Sequence, residues 1–449
     1  MSLKVSVSGV RGIWADSLDI ETIFRYSLAF ACYVRDRGGK KVLLARDGRP
    51  TGDVMGRFVA SVLNMMGLDV VDAGIVPTPT VLFGVRECGF DAGLMLSASH
   101  NPLEWNAFKF VKKGGIFTDD SDLIVIKKFL SDPMEMPKWQ NIGQYTEDDA
   151  VMYHHIQGVL SAVDVELIKN SHLKVLLDPV NSSGCVITKM LFEELNISAV
   201  YVNDEPHGHF ARPAEPTRDH LKHFHDLIIA HQADVGFAQD PDADRLVVAD
   251  ERGRVLSEEM TPVLALKTLL DRGEYGDIVL NMSTSSISEK MIKPYAQSFR
   301  SKVGEANVVR KIKEIHAFYG LEGNGGVIYP KVNAGRDSLV GIALILELLA
   351  REQKPLSKII ALLPQTVMKK EKYDFGGDFD VLLQKIKQRF PDVKVNEEDG
   401  LRLEMEDLWI HIRTSNTEPV IRVIAEGTSE PILSEILKTV QNFIKESIN

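Results

Sequence analysis

Short apolar, β-branched runs alternate with longer amphipathic stretches over most of the chain. Residues 41–45 (KVLLA) read as a buried strand. Residues 53–66 carry apolar side chains at helical spacing and stop at Gly67, which predicts a helix. Residues 69–72 predict a second strand, Pro77 to Pro79 a turn, and residues 92–96 a third strand. This alternation is that of βαβ units, so the expected class is α/β with a mostly parallel sheet.

The unit recurs. Lys41-Val-Leu-Leu runs into Ala45-Arg-Asp-Gly, Lys174-Val-Leu-Leu into Asp178-Pro-Val-Asn-Ser-Ser-Gly, and Asp277-Ile-Val-Leu into Asn281-Met-Ser-Thr-Ser-Ser. Three related α/β domains fit that pattern. A stretch rich in Pro and polar residues at 131–145 reads as a linker, and residues 253–257, after a strand at 245–250, open a third domain. After Pro364 charges multiply, alternation follows at 401–408 and 409–412, and a last helix covers 431–448. That predicts a smaller α+β domain at the C-terminus. The expected boundaries are 1–145, 146–252, 253–364 and 365–449.

Composition narrows the function. The chain has 449 residues, 52 Lys plus Arg against 63 Asp plus Glu, and a formal charge of −11. Such a balance argues against a dedicated nucleic-acid binder or a binder of anionic membranes. It leaves room for a small anionic ligand held by a local cationic cluster. Cys32, Cys88 and Cys185 form no C-x-x-C pair, which disfavours a disulfide framework or a zinc knuckle. With no signal-peptide pattern and no apolar run of about 20 residues, the expectation is a soluble cytoplasmic protein, with homo-oligomerisation left open.

Four segments carry candidate chemistry. Residues 97–110 (SASHNPLEWNAFKF) follow a strand directly, where open α/β sheets bind ligands. Ser99 is the candidate nucleophile or phosphate carrier, and Lys109 a candidate acid, base or phosphate partner. His100 adjoins Ser99, which makes a Ser-His triad from these two sterically awkward. Taken alone, a polar loop capping a strand fits equally. In residues 239–250, Asp240, Asp242 and Asp244 alternate, so three carboxylates converge on one side of an extended loop. They repel unless a cation neutralises them, and hard oxygen donors suit Mg²⁺. An EF-hand fits poorly, because Arg245 replaces its glycine and Pro241 interrupts it; a solvated acidic turn is the other alternative.

Residues 320–327 (GLEGNGGV) combine glycines, which admit close backbone approach to a ligand, with Glu322 and Asn324, which suit sugar hydroxyls. Ile328 replaces the last glycine of a dinucleotide fingerprint, and no G-x-x-x-x-G-K-[ST] occurs; a plain turn remains open. Residues 413–423 (RTSNTEPVIRV) deliver Arg413 and small polar residues between two strands, a nest for a phosphate dianion or an ordinary hairpin turn. Residues 8–12 (SGVRG) add Arg11 between glycines.

Together and in this order, S-A-S-H-N-P, D-P-D-A-D-R, E-G-N-G-G and R-T-S-N-T-E-P resemble the α-D-phosphohexomutases, the phosphoglucomutase/phosphomannomutase superfamily, over Ser8 to Val423. The resemblance implies three related α/β domains plus a smaller C-terminal phosphate-binding domain around a central cleft. It implies an intramolecular phosphotransferase in which Ser99 carries phosphate and one Mg²⁺ per chain is held by Asp240, Asp242, Asp244 and the phosphoserine. A hexose 1,6-bisphosphate would be intermediate and activator. Arg11, Arg245 and Lys109 would stabilise the transferring group, with Lys109 as base and His100 as second choice. Glu322 and Asn324 would hold sugar hydroxyls, and Arg413, Ser415, Asn416 and Thr417 the phosphate that is not reacting. T-E-P-V-I-R-V is similar to phosphoglucosamine mutases, and Glu305 is suited to a C2 ammonium, so glucosamine 6-phosphate is the expected substrate. A gluco/manno enzyme of broad specificity, a phosphohydrolase, a bisphosphate synthase or a non-catalytic sugar-phosphate binder are the alternatives.

Overall fold

The computed structural model describes residues 3–6, 9–414 and 420–446. The chain divides into two compact units, Met1–Glu274 with Asn324–Ile359, and Tyr275–Gly323 with Ile360–Asn449.

The sequence repeat is a repeat of topology. In the first sheet, the apolar strand Lys41–Arg46 lies between parallel partners Asp69–Ile75 and Ala92–Leu96, and Trp105–Lys112 then runs antiparallel to Ala92–Leu96. In the second, Lys174–Asp178 lies between parallel Ser198–Tyr201 and Val235–Gln239, and Leu246–Asp250 returns antiparallel. In the third, Ile278–Asn281 lies between parallel Ser298–Ser301 and Tyr319–Glu322, followed in the chain by Gly326–Ile328. Central strands such as VLLA and VLLD are buried on both faces, which is why they read as continuous apolar runs rather than alternating ones. The candidate loops at 97–104, 240–245 and 323–325 occupy the same topological place: each joins the last parallel strand to the strand that follows it.

Two local readings differ. Pro77 to Pro79 is no free turn: Pro77 caps the helix Thr78–Glu87 and Pro79 sits in its first turn, where a missing N–H costs nothing. The stretch at 131–145 contains one 3₁₀ turn, and Tyr145–Glu147 beyond it pairs with Asp69–Ile75, so the first sheet continues past that linker.

In the second unit, five antiparallel strands run in the order Val367–Asp374, Val420–Gly427, Leu408–Thr414, Leu401–Glu404, Lys394–Asn396. Helices Phe379–Arg389 and Glu430–Glu446 bury Leu382, Ile386, Leu437 and Val440 against alternate strand residues such as Ile410, Ile412, Ile421 and Val423. This is the α+β domain expected from the change of texture. Its Glu426 is 1% exposed and accepts hydrogen bonds from Trp409 Nε1 (2.7 Å), Thr366 Oγ1 (2.7 Å), Ser286 N (2.8 Å) and the Ser285 hydroxyl. Burial works to raise its pKa, but the donors outweigh burial and hold it below the ordinary value. A depressed carboxylate contributes stability above its unfolded pKa, about 4.3, and loses it as pH falls below that. Glu426→Gln is therefore expected to cost about 3 kcal/mol at pH 7 in urea denaturation, a gap that narrows toward pH 3 as the wild-type carboxylate protonates.

Candidate active site

Ser99 sits in the loop between Ala92–Leu96 and Trp105–Lys112 with φ +51°, left-handed for a residue that is not glycine, and only 3% exposed. Its Oγ donates to Asp240 Oδ2 at 3.0 Å and lies 3.4 Å from His100 Nδ1. The two neighbours thus meet after all, with Ser99 in the left-handed conformation. Arg245, Arg11 and Arg336, together with burial, hold His100 well below its ordinary pKa, Arg245 contributing most. The ring is neutral at neutral pH.

The metal candidates come from the tight loop between Val235–Gln239 and Leu246–Asp250, where Ala243 also takes a positive φ, +49°. Asp240, Asp242 and Asp244 are each fully buried, and their ligand oxygens lie within 4.8 Å of one another. Burial, then Asp244 and Asp242, push Asp240 well above the ordinary carboxylate pKa. Burial also works to raise Asp242, but the Lys109 ammonium and the Thr78 hydroxyl hold it low. Asp242 Oδ1 and Asp244 Oδ1 accept no hydrogen bond. Two orphaned carboxylate oxygens and a carboxylate strained by its like-charged neighbours fit a hard divalent cation such as Mg²⁺.

Lys109 is not against Ser99 Oγ; its hydrogen bonds go to the Asp242 carboxylate and to Thr78 Oγ1 (3.3 Å), with Asp244 Oδ2 at 3.7 Å. Burial works to strip its proton, but Asp242 and Asp244 prevail and raise its pKa. An ammonium so held has no lone pair to act as a base, so of the two candidate bases His100 is the one beside the hydroxyl.

The guanidinium groups gather on the same loops. Arg245 N donates to Asp240 Oδ1 (3.1 Å), and its Nη1 to Glu215 Oε1 (3.1 Å). Arg11 Nη1 donates to Asn101 Oδ1 (2.6 Å), and burial, Arg245 and Arg49 push its pKa down. Arg336 Nη2 donates to Asp244 Oδ2 (2.6 Å). Crowded cations beside a nucleophilic hydroxyl suit a phosphoryl dianion.

The glycines at 325 and 326 serve packing as well as any ligand. A Cβ at Gly325 (φ +88°) would stand 2.3 Å from Leu246 O, and one at Gly326 2.4 Å from Arg336 Cδ. Gly325 O accepts from Leu246 N (3.2 Å), so this loop lies against the end of the carboxylate loop. Asn324 Oδ1 is buried with no hydrogen-bond partner. Glu322, 2% exposed, accepts at Oε1 from Asn281 Nδ2 (2.9 Å) and Gly304 N (3.2 Å), the residue before Glu305. Arg413 ends the strand Leu408–Thr414, half-buried, with Nε unpartnered and its pKa lowered chiefly by burial. Across the ladder it faces Arg422, which faces Lys372 in turn, a row of like charges that an anion would relieve. Ser415, Asn416 and Thr417 lie outside the described residues.

Sequence reading missed Thr78, which bonds Asp242 and is bonded by Lys109, and it missed Arg336, Asp47 and Arg49. R-D-G-R had been noticed only as part of the repeat, and nothing local marks the other two.

A serine facing a carboxylate triad, ringed by arginines on a repeated α/β scaffold, defines a phosphoryl-transfer enzyme. Models of phosphoglucomutase/phosphomannomutase α/β/α domains I, II and III match residues 2–134, 153–253 and 258–367, and that of the C-terminal domain matches 367–442. The chain is 33% identical over 447 residues to a phosphoglucomutase/phosphomannomutase of Thermococcus kodakarensis, covering 98% of each. It is 31% identical over 455 residues to a phosphoglucosamine/phosphogalactosamine mutase of Sulfurisphaera tokodaii, covering 99% of this chain and all of that one. The crystal structure of a phosphoglucomutase/phosphomannomutase family protein from Burkholderia thailandensis superposes with a TM-score of 0.87 at 26% identity, over 100% of this chain and 98% of that one. The chain belongs to the phosphoglucomutase/phosphomannomutase family and is a phosphohexomutase, an isomerase that transfers phosphate within a hexose phosphate. Among the described residues no helix is long and apolar enough to cross a membrane.

Proposed function

We propose that this mutase interconverts glucosamine 6-phosphate and glucosamine 1-phosphate through a phosphoserine at Ser99. The hydrogen bond from Ser99 Oγ to Asp240, inside a buried carboxylate triad, carries the assignment of the phosphate carrier. The phosphoserine gives its phosphoryl group to the free sugar hydroxyl, the P–Oγ bond breaking as the new P–O bond forms. The resulting 1,6-bisphosphate reorients, and its other phosphate returns to Ser99, whose hydroxyl proton passes to His100. Asp240, Asp242 and Asp244 would hold one Mg²⁺, which supplies charge neutralisation during transfer. Lys109 keeps Asp242 paired, while Arg11 and Arg245 take the charge of the transferring group. Glu322 and Asn324 hold hydroxyls, and Arg413 the distal phosphate. Cytoplasmic residence belongs to the same reading.

The amino sugar rests on Glu305, buried at the start of helix Glu305–Ile315, beside a backbone N–H that touches Glu322. A carboxylate there suits an ammonium at C2. The 33% identity to a phosphoglucomutase/phosphomannomutase favours the second reading, a broad gluco/manno enzyme.

The test is ³¹P NMR with Mg²⁺, a trace of hexose 1,6-bisphosphate and, in separate tubes, glucosamine 6-phosphate, glucose 1-phosphate and mannose 1-phosphate. Fastest isomerisation of the amino sugar supports the assignment, and equal or slower rates there support the broad enzyme. Glu305→Gln is expected to lower kcat/KM for the amino sugar about 10-fold or more while changing the neutral sugars little. A uniform loss across all three would remove Glu305 from specificity.

A further inference from the structure

We infer that Arg49, acting with Asp47 and Ser97, is a positioning residue that holds Ser99 in its reactive conformation. The inference rests on the phosphoserine reading of Ser99. Arg49 follows the strand Lys41–Arg46 and has no exposed surface, a rare condition for an arginine. Its guanidinium pairs with the Asp47 carboxylate, its Nη2 donates to Ser99 O (2.9 Å) and Asn101 O (2.5 Å), and it lies 5.1 Å from the centroid of the Phe210 ring. Asp47 in turn accepts from Arg49 N (2.9 Å) and Ser97 Oγ (2.6 Å), and Ser97 Oγ accepts from Ser99 N (2.9 Å).

Both backbone polar groups of Ser99 therefore end on this one network. That matters because Ser99 is left-handed, a conformation an L-residue leaves readily unless its flanking peptides are fixed. With the N–H held by Ser97 and the C=O by Arg49, the Cβ direction is set and Oγ faces Asp240. The same nitrogen spans to Asn101, whose side chain anchors Arg11, so one buried fork places both the phosphate carrier and a cation beside it. A lysine keeps the charge but, with one point-like head group, does not reproduce the planar fork.

The test compares full-length Arg49→Lys and Ser97→Ala with wild type and Ser99→Ala, reading kcat, KM and melting temperature, and the rate at which hexose 1,6-bisphosphate phosphorylates the dephosphorylated enzyme in a single turnover. A misplacement near 1 Å slows transfer about 100-fold, so Arg49→Lys is expected to lose that much in kcat and in the phosphorylation step, with KM within about 3-fold. Ser97→Ala, which breaks only the link to the Ser99 N–H, is expected to lose about 10-fold with the same split. Wild-type kcat in Arg49→Lys, or a loss that appears in KM and melting temperature but not in kcat, overturns the positioning role. Should Arg49→Lys fail to fold, Ser97→Ala decides by the same criteria. Turnover by Ser99→Ala would sink the phosphoserine reading itself, whereas full kcat in Arg49→Lys beside an inert Ser99→Ala sinks only the positioning role.

Discussion

Ser99→Ala is expected to reduce turnover by about 10⁴-fold or more while leaving the fold intact. The side chain lost is small, and its hydrogen bond to Asp240 is a single contact in a loop whose backbone is fixed by Ser97 and Arg49. The phosphate carrier, however, has no substitute: His100 is the nearest nucleophile, and its ring position differs from that of the serine oxygen. Incubation with hexose 1,6-bisphosphate should give a phosphoserine resonance in the wild-type ³¹P spectrum and none in the variant. A variant with a near-normal rate would refute the covalent mechanism.

Lys109→Met is expected to have the largest effect on stability. Lys109 is 5% exposed and is paired with Asp242, with Asp244 at 3.7 Å. Removing it leaves buried carboxylates uncompensated, at a cost of about 3–5 kcal/mol in EDTA. Because the ammonium competes with a cation for Asp242, the variant should also bind Mg²⁺ more tightly than wild type. Saturating Mg²⁺ should then recover much of the loss, about 2.7 kcal/mol at 100 times Kd. Guanidinium denaturation of both proteins, with EDTA and with Mg²⁺, reads the two effects. Equal midpoints in EDTA would show that the triad does not carry the negative charge assigned to it, and no differential shift with Mg²⁺ would remove the competition.

The loops that bear the chemistry were legible because each is a local signal. Alternating aspartates, a hydroxyl cluster after an apolar strand, and a glycine run with Glu322 stand out by composition alone. Their shared topological place was only half legible: the strand repeat drew attention to the first loop of each unit, whereas the candidate loops follow the last parallel strand. The roles of charged residues were less legible still. Lys109, eight residues from the His100–Asn101 turn by way of a strand, was expected near Ser99, yet its partners are Asp242 and Thr78, 133 and 31 positions away. R-D-G-R looked like a solvated loop, and a fully buried arginine with no solvent contact is not something that composition can announce.

Periodicity and turn chemistry act between residues a few positions apart, so the chain's own order of apolar runs, prolines and glycines determined the α/β units, the α+β C-terminal domain and the identity of the reactive segments. Which groups meet is a matter of long-range packing. The contact of Ser99 with Asp240 spans 141 positions and that of Arg336 with Asp244 spans 92, and each depends on where a sheet delivers its loop. The left-handed turn at Ser99, the neutral His100 and the cationic Lys109 arise from those encounters, because burial and neighbouring charge set protonation and conformation only once the loops are packed together.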